Sequence, residues 1–228
     1  IKIKNILLVM DQFNNILYIN LSHRNDRKLH VEEQLKIIGW KGKRFNAVKM
    51  EIGAIGCSIS HLKCLQMAKE NNWPNVVIVE DDITFLDKEM FKTKINNFTM
   101  RHTNWDVLLL GGNNIPPFEN VDNTCIKVSH CQTTTGYIVQ KHYYDELIEN
   151  IKTGLNYLIR EPNKHFFYAI DKFWLKLQKR DNWYLLIPLS VIQKPGYSDI
   201  EHRETDYSML LTSVNKRPMY KQPSIPYL

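Results

Sequence analysis

Val76-Val77-Ile78-Val79-Glu80-Asp81-Asp82 is the stretch on which the reading of this chain turns. Four apolar β-formers run straight into three carboxylates, and Ile83 and Phe85 follow. A buried strand that ends in this way places several negative charges at one edge of a sheet. Charges packed so closely repel one another, and a divalent cation is the simplest relief. In an open α/β sheet the carboxyl end of a strand is also where ligands bind. The stretch therefore predicts a metal site that holds an anionic group, with a diphosphate fitting best. The plain alternative is a strand that ends in acid because the chain has reached water. An isolated triplet does not decide between the two.

Working outward, residues 15–21 (NILYINL) read as a buried strand, and 22–27 as a polar turn. Residues 27–38 read as a surface helix carrying Leu29, Leu35 and Ile38, stopped by Gly39. A short strand over 44–48 follows. Gly53-Ala54-Ile55-Gly56 reads as a flexible lead-in to a helix in which Ile55, Ile59, Leu62 and Leu65 keep helical spacing to about residue 72. Pro74 separates that helix from the acidic strand. Strand, helix, strand, helix, strand predicts a sheet with helices packed on it, an α/β fold.

Residues 105–110 (WDVLLL) predict a further buried strand ending in Gly111-Gly112, and 113–121 a loop. Residues 125–131 and 137–140 read as a strand pair around Thr133-Thr134-Thr135-Gly136. Helices are expected at 143–151 and 171–179, the second with Phe173, Trp174 and Leu177 inward; 152–165 reads as a loop and 183–191 as the last strand. The whole chain, 1–228, fits a single domain, with about 193–228 as a wrapping tail.

A net charge of +6 suits an anionic ligand. The Lys and Arg are dispersed, which argues against a dedicated nucleic-acid surface. No apolar run approaches the roughly 20 residues that span a bilayer, so a soluble domain is expected. The chain opens on Ile, as a trimmed chain would, and a signal or anchor upstream stays open, as does a cytoplasmic or host-lumenal compartment. Cys57, Cys64, Cys125 and Cys131 form no Cys-x-x-Cys pair, against a structural zinc site, and read as small buried thiols. Asn20-Leu21-Ser22 and Asn97-Phe98-Thr99 fit the glycosylation sequon without fixing a compartment.

The order of motifs resembles glycosyltransferase family 25, which includes bacterial lipooligosaccharide galactosyltransferases and collagen galactosyltransferase domains. The resemblance runs from about Leu17 to Glu201. Tyr18-Ile19-Asn20-Leu21 with Arg24 to Arg27 is similar to the family's opening block, and Gly56-Cys57-x-x-Ser60-His61 to its Gly-Cys-x-x-Ser-His run. Val79-Glu80-Asp81-Asp82 resembles its metal block, and Thr135-Gly136-Tyr137-Ile138 its Gly-Tyr strand. Ala169-Ile170-Asp171-Lys172-Phe173 resembles its later Asp motif, and Tyr197-Ser198-Asp199-Ile200 its closing block. Any one match is weak, but the ordered set is specific. The departure is Ser22, where many relatives carry Asp.

The resemblance implies a GT-A-like nucleotide-sugar-binding fold with a mostly parallel central sheet flanked by helices. It also implies inverting transfer of a hexose, usually galactose and alternatively glucose, from a UDP-sugar to a hydroxyl of a glycan or hydroxylysine-type protein acceptor. Mn2+ or Mg2+ at the acidic block would stabilise the departing diphosphate. Asp82 is expected to coordinate the metal directly. Glu80 or Asp81 would act through water, the ribose or a backbone-facing role; if the strand persists, Glu80 shares the face of Asp82 and works with it, while Asp81 does not. Leu21, Ser22 and Arg24 are expected around the nucleoside, while Arg27 reads equally as a contact there or as a side chain that caps a helix or meets a surface carboxylate. Ser60 and His61 read either as donor contacts at a helix start or as an N-cap Ser and a packed His. Asp171 is expected to be the general base, against a plain N-cap Asp. Asp199 is the second candidate, and His202 a late metal or phosphate contact. Trp174, Tyr197 and Tyr207 could stack on sugar rings, although core packing explains Trp174 better. Two other classes remain in view. A nucleotidyltransferase is disfavoured by the lack of a Gly-rich phosphate loop. A catalytically inactive glycosyltransferase-like binding module is opposed by the retention of Glu80, Asp82 and Asp171.

Overall fold

The computed structural model describes residues 13–216. β1 (Ile16–Asn20) leads through helix α1 (Asn25–Ile37) to β2 (Lys43–Asn46), and α2 (Gly53–Glu70) to β3 (Asn75–Glu80). β4 (Ile83–Phe85), α3 (Lys88–Arg101), β5 (Val107–Leu109), β6 (Asn113–Asn114), β7 (Phe118–Asn120), β8 (Cys125–Val128), β9 (Cys131–Gln132) and β10 (Gly136–Gln140) follow. The remaining helices are α4 (Tyr144–Arg160), α5 (His165–Tyr168), α6 (Ile170–Phe173) and α7 (Leu175–Arg180). β11 (Trp183–Leu186), β12 (Val191–Gln193), β13 (Gly196–Ser198), β14 (Arg203–Thr205) and α8 (Ser208–Leu211) close the described chain.

Eight strands form the central sheet in the order β2-β1-β3-β10-β5-β11-β8-β7. The pairs β2/β1, β1/β3 and β5/β11 are parallel, while β10 and β8 run against their neighbours. Most strands therefore point one way, and the sheet is mixed. Strand residues alternate between two cores. Leu17, Ile19, Val76, Ile78, Tyr137 and Val139 face α2 and α4, while Tyr18, Val77, Val79 and Ile138 face α1 and α3. β3 reads as an unbroken apolar run because both its faces are covered. Trp174 is fully buried, with its ring against Tyr137 and Trp183, so its packing role holds and it does not reach the cleft.

Several expectations are corrected. Residues 152–160 are not a loop: α4 continues to Arg160. Gly154 is there for space, since a Cβ would lie 2.8 Å from Cγ of Phe173. Gly154→Ala is accordingly expected to lower stability by about 1–3 kcal/mol through overpacking, despite the better helix propensity of Ala. A urea midpoint that rises instead would show that Phe173 yields freely. Gly53–Gly56 is not a flexible lead-in but the first turn of α2. A Cβ on Gly56 would meet the Val48 carbonyl at 2.4 Å, so this glycine serves close approach. Leu29 points outward and is 69% exposed, leaving Val31 and Leu35 as the buried face of α1. β10 does not pair with 125–131. It inserts between β3 and β5, while β8 joins β11 and β7. The strand expected at 183–191 splits into β11 and β12, and β12 leaves the main sheet to pair with β4. Of the proposed tail, residues 217–228 lie outside the described residues; 196–205 forms the β13/β14 hairpin. The four thiols are free, and all but Cys57 are fully buried. Among the described residues no helix is long and apolar enough to cross a membrane.

Candidate active site

β1 and β3 run parallel, so their carboxyl ends open at the same edge of the sheet. There the chain must leave β3, and Asp81 and Asp82 form a tight turn before β4. The strand does not persist to Asp82, so the expected pairing of Glu80 with Asp82 on one strand face gives way to two separate environments.

Glu80 points into a nest of donors. Its Oε1 accepts from Thr134 Oγ1 at 2.7 Å and lies 3.5 Å from His61 Nε2, and its Oε2 accepts from Gln193 Nε2 at 3.1 Å. The Cys57 thiol donates to it at 3.8 Å. Burial opposes the Glu80 charge, but the donors from His61 and Thr134 outweigh it and hold the carboxyl below its ordinary value. The same surroundings push the Cys57 thiol up, first by burial and then by the Glu80 charge.

Asp81 and Asp82 share Arg27, whose Nη1 donates to Asp81 Oδ1 at 3.1 Å and Asp82 Oδ2 at 3.2 Å. Asp81 also accepts from Asn20 Nδ2 at 2.7 Å, which ties the turn to the end of β1. Burial raises the Asp81 carboxyl, with Asn20 and Arg27 opposing. Burial also pushes the Asp82 carboxyl up to about 8, with the Glu80 charge adding to it. Asp82 Oδ1 is buried without a hydrogen-bond partner. An unpartnered carboxyl oxygen beside two other acids could hold a cation, and an oxygen donor would suit Mn2+ or Mg2+. Glu80 has both oxygens engaged by side-chain donors.

Around the turn lies a cleft of about 970 Å³. Leu21, Ala47 and Val48 line one end, beyond β1 and β2, while Asp171, Lys172, His165 and Phe166 line the other. Asp171 is in the first turn of α6, not at its N-cap, which is Ala169. Its Oδ2 accepts the Thr133 N–H at 3.1 Å, and the Lys172 ammonium is 3.6 Å away. Phe166 is half exposed on the same wall, an aromatic that the sequence reading passed over.

The other expected residues divide. Leu21 lines the cleft, while Ser22 is exposed in the turn after β1 and outside the lining. Arg24 is spent on Asp26 and on Asp199, so its expected nucleoside contact gives way to an ion pair that holds the β13 end to α1. Asp199 lines the cleft but carries Arg24 and, at 3.6 Å, His23. Ser60 and His61 are not at a helix start, because α2 begins at Gly53. Ser60 Oγ donates to the Gly56 carbonyl and accepts the Val48 N–H, while His61 is fully buried with Nδ1 2.8 Å from the Tyr137 hydroxyl. The packed-His alternative therefore describes it best. His202 sits in the turn of the hairpin at φ +54° and lines the cleft. Among the described residues, groups of His, Cys, Asp and Glu close enough to share an ion are Cys57–His61–Glu80 and His102–Asp122–Cys125. Neither His202 nor Asp82 belongs to these groups, though both line the cleft. Arg27 was legible as half of Arg-x-x-Arg, whereas Gln193 arrives only through the β12/β4 pairing, which nothing local signals.

No curated protein sequence matches the chain. Several solved structures are similar in backbone. A glycosyltransferase involved in the glycosylation of the major capsid of PBCV-1 is 15% identical, with 82% of this chain and 88% of that one covered at a TM-score of 0.43. A mannose-1-phosphate geranyltransferase from Thermus thermophilus is 8% identical, with 77% and 73% covered at 0.44. A Drosophila β-1,4-galactosyltransferase 7 solved with manganese, UDP-Gal and xylobiose is 13% identical, with 59% and 52% covered at 0.35. Likenesses at this level say nothing about substrate. The family model described as glycosyltransferase family 25 (LPS biosynthesis protein) matches residues 49–174, a span that includes the acidic turn and Asp171. That match takes in more than half of the sequence, and on it the chain belongs to glycosyltransferase family 25.

Proposed function

We propose that this glycosyltransferase moves a hexose, with galactose preferred over glucose, from a UDP-sugar to a hydroxyl of a glycan or protein acceptor, inverting the anomeric carbon. The observation that carries the reading is one cleft holding both the acidic turn, with the unpartnered Asp82 Oδ1, and Asp171. The galactose preference rests on the family relationship alone.

Asp82 would hold a divalent cation through Oδ1, with Asp81 and Arg27 fixing the turn beneath it. Such a cation, when bound, neutralises charge that grows on the diphosphate as the glycosidic bond breaks. Leu21, Ala47 and Val48 offer an apolar wall for the base beyond β1 and β2. Inversion needs a carboxylate across the sugar from the leaving group. Asp171 fits: one oxygen is held by the Thr133 N–H, and Oδ1 makes no hydrogen bond among the described residues. That oxygen is free to take the acceptor hydroxyl proton as the new bond forms. Phe166 lines the same end of the cleft and is half exposed, an aromatic on which a sugar ring could stack.

The test is UDP release from UDP-galactose and UDP-glucose with and without Mn2+, on the parent chain and Asp171→Asn. The expected outcome is metal-dependent turnover that falls by about 10²–10⁴ in the variant, with UDP binding retained. Turnover of neither donor, with UDP still bound, would leave a binding module in place of an enzyme.

A further inference from the structure

Three consecutive threonines join β9 to β10, and each is committed differently. The Thr133 N–H donates to Asp171 Oδ2 at 3.1 Å. Thr134 Oγ1 donates to Glu80 Oε1 at 2.7 Å. The Thr135 carbonyl accepts the Glu80 N–H at 3.0 Å, and Thr135 Oγ1 donates to Thr133 Oγ1 at 3.3 Å. Thr133 does this at φ +76°. A β-branched residue in the left-handed region is a true outlier, since its Cβ crowds the backbone there. Such strain persists only where the surroundings over-determine it, and it gathers at functional sites. Here the surroundings are identifiable: β10 is locked between β3 and β5, and the loop meets Glu80 on one side and Asp171 on the other.

We infer that the Thr133–Thr135 loop is a positioning element that sets Asp171 and the acidic turn at a fixed mutual distance, and that the strained Thr133 N–H orients the Asp171 carboxylate. The inference rests on the functional reading above for the roles of the two ends. Its logic is geometric. The two groups come from distant parts of the chain, with Glu80 on β3 and Asp171 on α6. The loop bonds to both within two residues, so an error in either end is passed to the other. With Oδ2 engaged by an amide that cannot rotate away, Oδ1 keeps one direction. None of the three threonines need touch substrate, so they are positioning residues.

The loop makes a prediction that a plain structural role would not. Thr133→Gly keeps the N–H and removes the clash, so the melting temperature is expected to hold or rise. The loop gains freedom, and kcat is expected to fall on the order of tenfold with the donor KM within about twofold, because small misplacements of a reacting group cost rate more than binding. Thr133→Asn, a residue that tolerates positive φ, is expected to recover most of the rate. Thr134→Val is expected to lower kcat similarly, and Thr134→Ser to restore it. Unchanged kcat in Thr133→Gly and Thr134→Val would overturn the inference, as would a parallel loss of stability and rate. If the parent chain turns over no UDP-sugar, the functional reading has failed, and the loop is judged by hydrogen exchange instead. Exchange of the Thr133 amide is expected to quicken at least tenfold in Asp171→Ala, and an unchanged rate would overturn the pairing.

Discussion

Asp82→Ala is expected to abolish metal-dependent turnover, with a loss of at least about 10³ in kcat, in line with removing a main stabiliser of leaving-group charge. The folded protein should not suffer. Asp82 is a poorly solvated carboxylate whose Oδ1 has no partner and whose proton is held up to about 8 by burial and by Glu80. Removing it takes away the cost of burying that carboxyl in the metal-free protein, and the melting temperature is expected to hold or rise. A second reading isolates the cation from the chemistry. A ligand that binds only the folded state raises stability by about 2.7 kcal/mol at a hundred times its Kd, so Mn2+ should raise the melting point of the parent chain and leave that of Asp82→Ala unmoved. An equal Mn2+ shift in both proteins would remove Asp82 from the cation site.

Arg27→Ala is expected to be the most destabilising single change at the site, by about 3–5 kcal/mol, the usual cost of breaking a buried ion pair from one side. The three side chains are all largely shielded, at 16% exposure for Arg27 against 11% for Asp81 and 13% for Asp82. Truncation would leave Asp81 and Asp82 beside Glu80 without the guanidinium that pairs with both. It would also remove the shorter of two hydrogen bonds to the Tyr197 carbonyl, which accepts from Arg27 Nη2 at 2.8 Å and from Arg24 Nη1 at 3.4 Å. Mn2+ should return part of the lost stability by taking over the charge. Arg27→Lys should recover less than its charge suggests, because an ammonium lacks the planar fork that reaches three acceptors. Denaturant melts with and without Mn2+ measure both effects. A loss below about 1 kcal/mol would mean that water, not Arg27, neutralises the turn.

What the sequence made legible follows the range over which each interaction acts. The acidic strand could be read because burial on both faces writes itself as consecutive apolar residues, and the break in that run marks the turn. The α1 and α2 helices could be placed to within a few residues. Gly154 and Gly56 misled, because a glycine that makes room for Phe173 or for the Val48 carbonyl looks the same in sequence as one that makes a loop. The partner of β10 is not legible locally, because a strand's neighbour depends on a crossover and not on its own residues. At the site, Glu80, Asp81, Asp82 and Asp171 were visible as acids at element ends. Their division of labour was not, since it depends on Gln193, Thr134 and Arg27 arriving from other elements.

The sheet order has a further consequence for anyone trimming this protein. The stretch that matches the family runs from 49 to 174, yet β1 and β2 precede it and β11 follows it. Cut to that stretch, β3 would lose β1 and become an apolar edge, and β5 would lose its link through β11 to β8 and β7. The sheet would fall into two unconnected pieces, each with a bare flank open to pairing with another chain. The recognisable part of the sequence is therefore not a folding unit, and a fragment chosen by family likeness alone is expected to aggregate.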